Sequence, residues 1–183
     1  SVASRGLGDV YKRQVLFTKE QIQSMVKKVA REINAYYPKN EPLVVVGVLK
    51  GAWIFHADLV RELDRPVTID FIRATSYGHA TESSGVVRIL KDIEVDISKK
   101  HILLVEEIID SGRTLNFIKN RLQNGGALSV KIAALLDKKE RREVDCQADF
   151  LGSEVANHFV VGYGLDWAEN YRNLESIVRV KNP

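Results

Sequence analysis

Apolar residues Ile22, Met25, Val26, Val29 and Ile33 recur at helical spacing behind Thr18, which stands three residues before Gln21. That spacing predicts a helix with a capping box at its start, running to the neighbourhood of Pro38. LVVVGV (43–48) has no polar interruption, as a strand buried on both faces requires, and GAWIFHADLVREL after it reads as a helix. Further strands are predicted at VTIDFIRA (67–74), HILLVEEII (101–109), VKIAALL (130–136) and, as the last, FVVGYG (159–164). Between 75 and 85 the polar, small residues of TSYGHATESSG lack periodicity and read as a mobile loop, with VVRIL as the strand leaving it. Leu115, Ile118 and Leu122 mark one more helix, stopped by Gly125 and Gly126. Strands alternating with helices predict an α/β fold, a largely parallel central sheet flanked by helices.

Residues 1–14, SVASRGLGDVYKRQ, carry neither period and are expected to be a disordered or non-native extension; DVYKRQ has the look of a translated transposon end from library preparation. Residues 15–183 are expected to form one domain, a size that buries a core without staples. Lys and Arg exceed Asp and Glu by 27 − 24 = 3, with no block of like charge. That mild excess suits a small polyanion at least as well as nucleic acid, and no basic stripe with interleaved aromatics is present. Cys146 is the only cysteine, so no internal disulfide can form, and a reducing cytoplasm is the expected setting. No apolar run has the length of a membrane span.

In a parallel sheet the ligand lies beyond the carboxyl ends of the strands, which directs attention to LKG (49–51), EEIIDSGRT (106–114), DKKERR (137–142) and GLDWAENYR (164–172). The second is the most informative. Two carboxylates end an apolar strand, a third follows four residues after the first, and a small, hydroxyl-bearing turn then opens a helix. Backbone amides from Ser111 to Thr114, at the positive end of that helix, would hold a phosphate monoester. Glu106 and Glu107 would accept bonds from ribose hydroxyls, directly or through a hydrated metal. The plainer alternative is a helix capped by Asp110 or Ser111 above a solvated acidic strand end. The histidines have no metal-site spacing, and His56 reads as a helix-face residue.

VEEIIDSGRTL resembles the phosphoribosyl-pyrophosphate motif of type I phosphoribosyltransferases: two acidic residues, two aliphatics, then Asp, Ser or Thr, Gly and Thr. LVVVGVLKGAW, DFIRATSYG, SSGVVRILKDI, AALLDKKERR and HFVVGYGLDWAENYRNL extend the likeness, in order, from about residue 15 to 178, to the hypoxanthine-guanine phosphoribosyltransferases. The resemblance implies the type I fold, with a small hood and a mobile lid. It also implies a magnesium-dependent transfer of a 6-oxopurine to phosphoribosyl pyrophosphate, giving the nucleoside monophosphate (IMP, GMP) and pyrophosphate. Asp110 would be the catalytic carboxylate that handles the proton on the imidazole half of the base, and Lys138 would donate to the 6-oxo group. Phe159 would stack on the base and the Val160 backbone would read its edge. Leu49, Lys50 and Gly51 would form the pyrophosphate loop, often built on a non-proline cis peptide, with Arg172 binding the same group. Ser76 and Tyr77 would begin the lid. Ile109, Ser111, Gly112, Arg113 and Thr114 would surround the sugar phosphate, and Glu106, Glu107 and Asp166 would serve the metal. A homodimer or homotetramer is implied as well.

The chain departs from the family pattern at named places. Glu107 stands where the motif has Asp, and one methylene moves a carboxylate by about 1 Å, a displacement that can cost about a hundredfold where positioning dominates. Trp167 replaces a tyrosine, the tail LESIVRV is less apolar, and Glu82 puts a negative charge in the lid. Rival readings are a nucleotide-sensing regulator of this fold that binds RNA or DNA, and an assembly protein that has lost catalysis. The first meets no basic stripe, and the second meets Asp110, Lys138, Asp166 and Arg172 together in one chain. No GxxxxGK[ST] is present for a P-loop.

Overall fold

The computed structural model describes residues 14–79 and 82–181, with the backbone alone for 77–79 and 82–85. Apart from Gln14, the expected extension lies outside the described residues. Strands β2 (Leu43–Val48), β3 (Val67–His79), β4 (Glu82–Lys91), β5 (His101–Ile109), β6 (Ser129–Asp137) and β7 (Phe150–Glu154) form one sheet in the order β4-β3-β2-β5-β6-β7. All neighbours run parallel except β3 and β4. β1 (Val15–Phe17), β8 (Phe159–Val161) and β9 (Ile177–Val180) form a second, antiparallel sheet in the order β1-β9-β8.

The uninterrupted apolar runs follow from burial on both faces. Along β2, Leu43 and Val45 join a core with helices α1 (Lys19–Tyr36) and α2 (Trp53–Arg61), while Val44, Val46 and Val48 join another with α3 (Arg113–Asn124). Leu103 and Val105 against Ile102 and Leu104 repeat the alternation on β5. Val160, Tyr163, Leu165 and Ile177 of the smaller sheet and its loops share the first core, which fixes that sheet to the larger one.

Helix α1 begins as its sequence requires. The Thr18 side chain accepts from the Gln21 amide at 3.2 Å, and the Gln21 side chain accepts from the Thr18 amide at 2.9 Å. Its far end has no basic residue of its own; buried Arg65 donates instead to the carbonyls of Asn34 (3.1 Å) and Pro38 (3.0 Å). Gly125 caps α3, and Gly126 turns the chain away at φ +95°.

Three expectations need correction. Residues 75–79 and 82–85 are the arms of a β3/β4 ribbon, with Ser76 opposite Val87 and His79 opposite Glu82, whereas residues 80 and 81 lie outside the described residues. Two strands can pair through backbone alone while solvent takes their polar side chains, so no hydrophobic period marked them. FVVGYG stops being a strand at Val161 because Gly162 takes φ +100°, where an added Cβ would overlap the Ser176 carbonyl. It is also not the last: β9 follows, and β1 and β7 were unread, each being short or at a sheet edge. Truncating the cap with Thr18→Ala should lower stability by about 1 kcal/mol and the unfolding temperature by about 2–4 °C. Calorimetry checks it, and an unchanged transition would show that the capping box contributes nothing.

Candidate active site

Strand β5 carries its apolar run to Val105 and then presents Glu106 and Glu107, both half-buried. The Glu107 amide donates to Glu106 Oε1 at 3.0 Å. Burial pushes the Glu106 carboxyl well above the usual carboxylate range, and the Glu107 charge adds to it. Burial also raises Glu107, while hydrogen bonding with Glu106 and the attraction of Arg172 oppose the rise and Asp166 reinforces it. Glu107 Oε2 is buried without a hydrogen-bond partner. A crowded pair with an unanswered acceptor is suited to hydroxyl groups or a cation supplied from outside the chain.

Opposite that pair lies the turn after β2. The Leu49–Lys50 peptide is cis. A Cβ on Gly51 would overlap the Glu107 carboxylate, and one on Gly164, at φ +100°, would overlap the Gly51 carbonyl. Glycine at both positions therefore lets three segments close on one another. Lys50 Nζ donates to Glu169 Oε2 at 2.8 Å. Arg172 donates through Nη1 to the Gly164 carbonyl (2.8 Å) and through Nη2 to Glu169 Oε1 (3.2 Å), with Asp166 Oδ1 also 3.2 Å from Nη2. Asp166 Oδ2 accepts from the Glu169 amide at 2.9 Å.

After β5 the chain turns through Asp110, Ser111 and Gly112 into α3. Gly112, not Asp110 or Ser111, is the N-cap residue, at φ +81°, and no side chain caps the helix. The contrast with α1 is chemical: one helix start is answered by its own N-cap side chain, Thr18, whereas the N-cap of the other has no side chain and only its first amide, that of Arg113, is met, by Ser111. Ser111 Oγ accepts from the Arg113 amide at 3.3 Å, and the Ser111 carbonyl accepts from the Glu143 amide at 3.0 Å. Arg113 pairs with Glu143, and Arg142 pairs with buried Asp137. A Cβ on Gly112 would sit 2.9 Å from Cys146 Cβ and 3.2 Å from Arg142 Cδ, so the 141–146 segment backs the turn closely.

The base-side candidates converge partly. The Lys138 amide donates to the Ile109 carbonyl at 2.9 Å, which sets the buried Lys138 next to Asp110 across β5 and β6. Burial lowers the Lys138 ammonium below the usual lysine range, with Asp110 opposing and Arg141 assisting. Arg141 Nε lies 2.9 Å from Asp110 Oδ1. The Ile109 side chain is buried in the core, so only its backbone faces the loop side. Phe159 is exposed at the start of β8 and packs edge-on against Trp167, centroids 6.4 Å apart; Val160 follows on the unpaired edge of its sheet. Leu49 is half-buried. Ser76 is exposed on β3, and Tyr77 is described by its backbone alone. Sequence reasoning missed Glu169 and Arg141. Each lies in a flagged segment, but only folded distances single it out.

A helix start with no N-cap side chain, paired carboxylates and a cationic turn are thus gathered at one end of the parallel sheet. The family model described as phosphoribosyl transferase domain matches residues 16–167. A hypoxanthine-guanine phosphoribosyltransferase of Aquifex aeolicus is 47% identical over 171 residues, 93% of this chain and 96% of that one. Its counterpart from Bacillus subtilis is 46% identical over 90% of this chain and 91% of that one. A solved hypoxanthine-guanine phosphoribosyltransferase from Bacillus anthracis superposes with a TM-score of 0.88 at 46% identity, covering 92% of this chain and 99% of that one. The chain belongs to the phosphoribosyltransferase family, in its hypoxanthine-guanine branch, and has the type I fold.

Because the folded pair Glu106/Glu107 titrates above the unfolded range of about 4.3, its contribution to stability is fully present below that range and is lost as pH climbs through the raised values. Glu106→Gln should therefore melt increasingly above the unsubstituted protein as pH rises from 4 to 8, by about 2–4 °C for each kcal/mol relieved. A difference in unfolding temperature that is flat with pH would rule out the repulsion.

Proposed function

We propose that this chain is a purine-salvage transferase joining hypoxanthine or guanine to phosphoribosyl pyrophosphate, releasing IMP or GMP and pyrophosphate. One observation carries the assignment of roles: the end of β5 sets Glu107 against the Gly51 turn and Asp110 beside Lys138, within a span of four residues that runs into an uncapped helix. Sugar, pyrophosphate and base would then meet at one strand end. Residues 15–183 act as the transferase unit. The reading brings with it a cytoplasmic homodimer or homotetramer; among the described residues no helix is long and apolar enough to cross a membrane.

The amides from Ser111 to Thr114 hold the 5-phosphate at the positive end of α3. Glu106 and Glu107 accept the ribose hydroxyls. Backbone amides of Lys50 and Gly51, with Arg172, receive the pyrophosphate as its bond to the sugar carbon breaks. Lys138 donates to the 6-oxo oxygen, Phe159 stacks on the ring and the Val160 backbone reads its edge from the edge strand β8. Asp110 accepts the imidazole proton as the new carbon–nitrogen bond forms. Ser76 and Tyr77, on the β3 arm of the ribbon, belong to the lid that excludes water.

Magnesium fits the donor set. Glu107 Oε2 is buried and unpartnered, and Asp166 acts electrostatically on the same carboxylate. Among the described residues no three His, Cys, Asp or Glu are grouped closely enough to hold a metal ion unaided, so waters and the substrate's phosphates would have to complete its shell. Glu106, Glu107 and Asp166 would hold it, and when bound it supplies positive charge against the departing pyrophosphate.

Asp110→Asn should lower kcat for hypoxanthine and guanine by about 10²–10⁴-fold with phosphoribosyl pyrophosphate binding retained, measured by nucleotide formation and by calorimetric titration. Turnover undiminished in that variant would remove Asp110 from catalysis. Since a protonated Lys138 is required and burial disfavours that form, oxopurine binding should weaken on an alkaline limb lying below the ordinary lysine range. Lys138→Gln should abolish that limb.

A further inference from the structure

Glu169 occupies an unusual place. It is solvent-exposed, yet its carboxylate spans two cations from different segments: Oε2 receives Lys50 Nζ at 2.8 Å, and Oε1 receives Arg172 Nη2 at 3.2 Å. Its amide meanwhile holds Asp166 Oδ2 at 2.9 Å. The loop that carries it turns through left-handed backbone at three non-glycine residues, Ala168 (φ +49°), Glu169 (φ +66°) and Tyr171 (φ +73°), which aims the side chain back toward the β2 turn. The Lys50 ammonium beside it holds the Glu169 carboxyl below its ordinary range, so it stands there as an anion at neutral pH.

We propose that Glu169 is a resident anion of the pyrophosphate subsite, bridging Lys50 and Arg172 until pyrophosphate displaces it. The inference rests on the assignment of the Lys50 turn and Arg172 to pyrophosphate made above. Two cations facing one another without an anion between them would repel, and Glu169 removes that repulsion in the free protein. An incoming pyrophosphate competes with Glu169 for Arg172, whose planar fork suits its oxygens. The carboxylate therefore keeps the two cations positioned and weakens binding of the leaving group, which favours its release after transfer. Glu169 is exposed in both pairs, and pairs with a solvated partner are weak. The competition is therefore modest and reversible rather than a block. Asp166 and Arg172 are paired as well, so departure of the Glu169 side chain leaves Arg172 anchored through Asp166 and the Gly164 carbonyl.

The test is calorimetric titration of magnesium pyrophosphate into the full chain and into Glu169→Gln, Glu169→Asp and Arg172→Gln, with product-inhibition kinetics alongside. Glu169→Gln keeps the length and loses the charge. It should bind pyrophosphate about three- to tenfold more tightly, the range expected for losing two weak ion pairs. It should also show pyrophosphate inhibition stronger by a similar factor, with the KM for the purine base unchanged. Glu169→Asp, too short to span both cations, should fall between. If Arg172→Gln weakens pyrophosphate binding while Glu169→Gln leaves it unchanged or weakens it, the subsite stands and the resident-anion role is wrong. If the unsubstituted protein does not bind pyrophosphate and Arg172→Gln makes no difference, the subsite assignment and the inference fall together.

Discussion

The end of strand β5 is where this molecule places carboxylates that its interior disfavours. A run from His101 to Val105 is drawn into the sheet by burial on both faces, and the next two residues, Glu106 and Glu107, are carried with it into half-buried positions. Neither can move away without breaking the parallel ladder to β6, where Glu106 pairs with Ala134 and Ile108 with Leu136. The core thus holds two like charges together, raises their proton affinity and leaves one oxygen unanswered. Gly51 and Gly164 give way to that crowding: each lacks the Cβ that would collide, and so the β2 turn and the loop after β8 close around the carboxylate.

Charge compensation then spreads outward from the pair. Arg172 moderates Glu107, is itself held by Asp166 and the Gly164 carbonyl, and shares Glu169 with Lys50. On the other side Asp110 stands between Lys138 and Arg141. The free site is therefore a set of ion pairs. A site for phosphates built this way is not strongly cationic, consistent with a chain whose net charge is only +3. Selectivity comes from the placement of amides and fork-shaped donors rather than from bulk charge.

Legibility differed by element. The helix from Thr18, the strands at 43–48 and 101–109 and the helix stop at Gly125 could be read because each depends on residues adjacent in sequence. The β3/β4 ribbon and the short strands β1, β7 and β9 could not, because pairing between backbones leaves little trace in side-chain pattern. Of the candidate segments, LKG, EEIIDSGRT and DKKERR lie at the ends of the parallel strands β2, β5 and β6, whereas GLDWAENYR follows β8 of the antiparallel sheet.

What the sequence determined by itself was local: the periodicities that make the parallel sheet, the glycines that permit tight turns, and the carboxylates, lysine and arginine set just beyond strand ends. Only the tertiary structure decided which of these meet. It put Gly112 at the helix N-cap, where the alternative reading had offered Asp110 or Ser111. It brought Glu107 against Gly51, 56 residues away (107 − 51), and joined Lys50 to Glu169 across 119 positions. Contacts of that separation depend on how the strands are ordered in the sheet and how the loops pack above it, and no window along the chain contains that information.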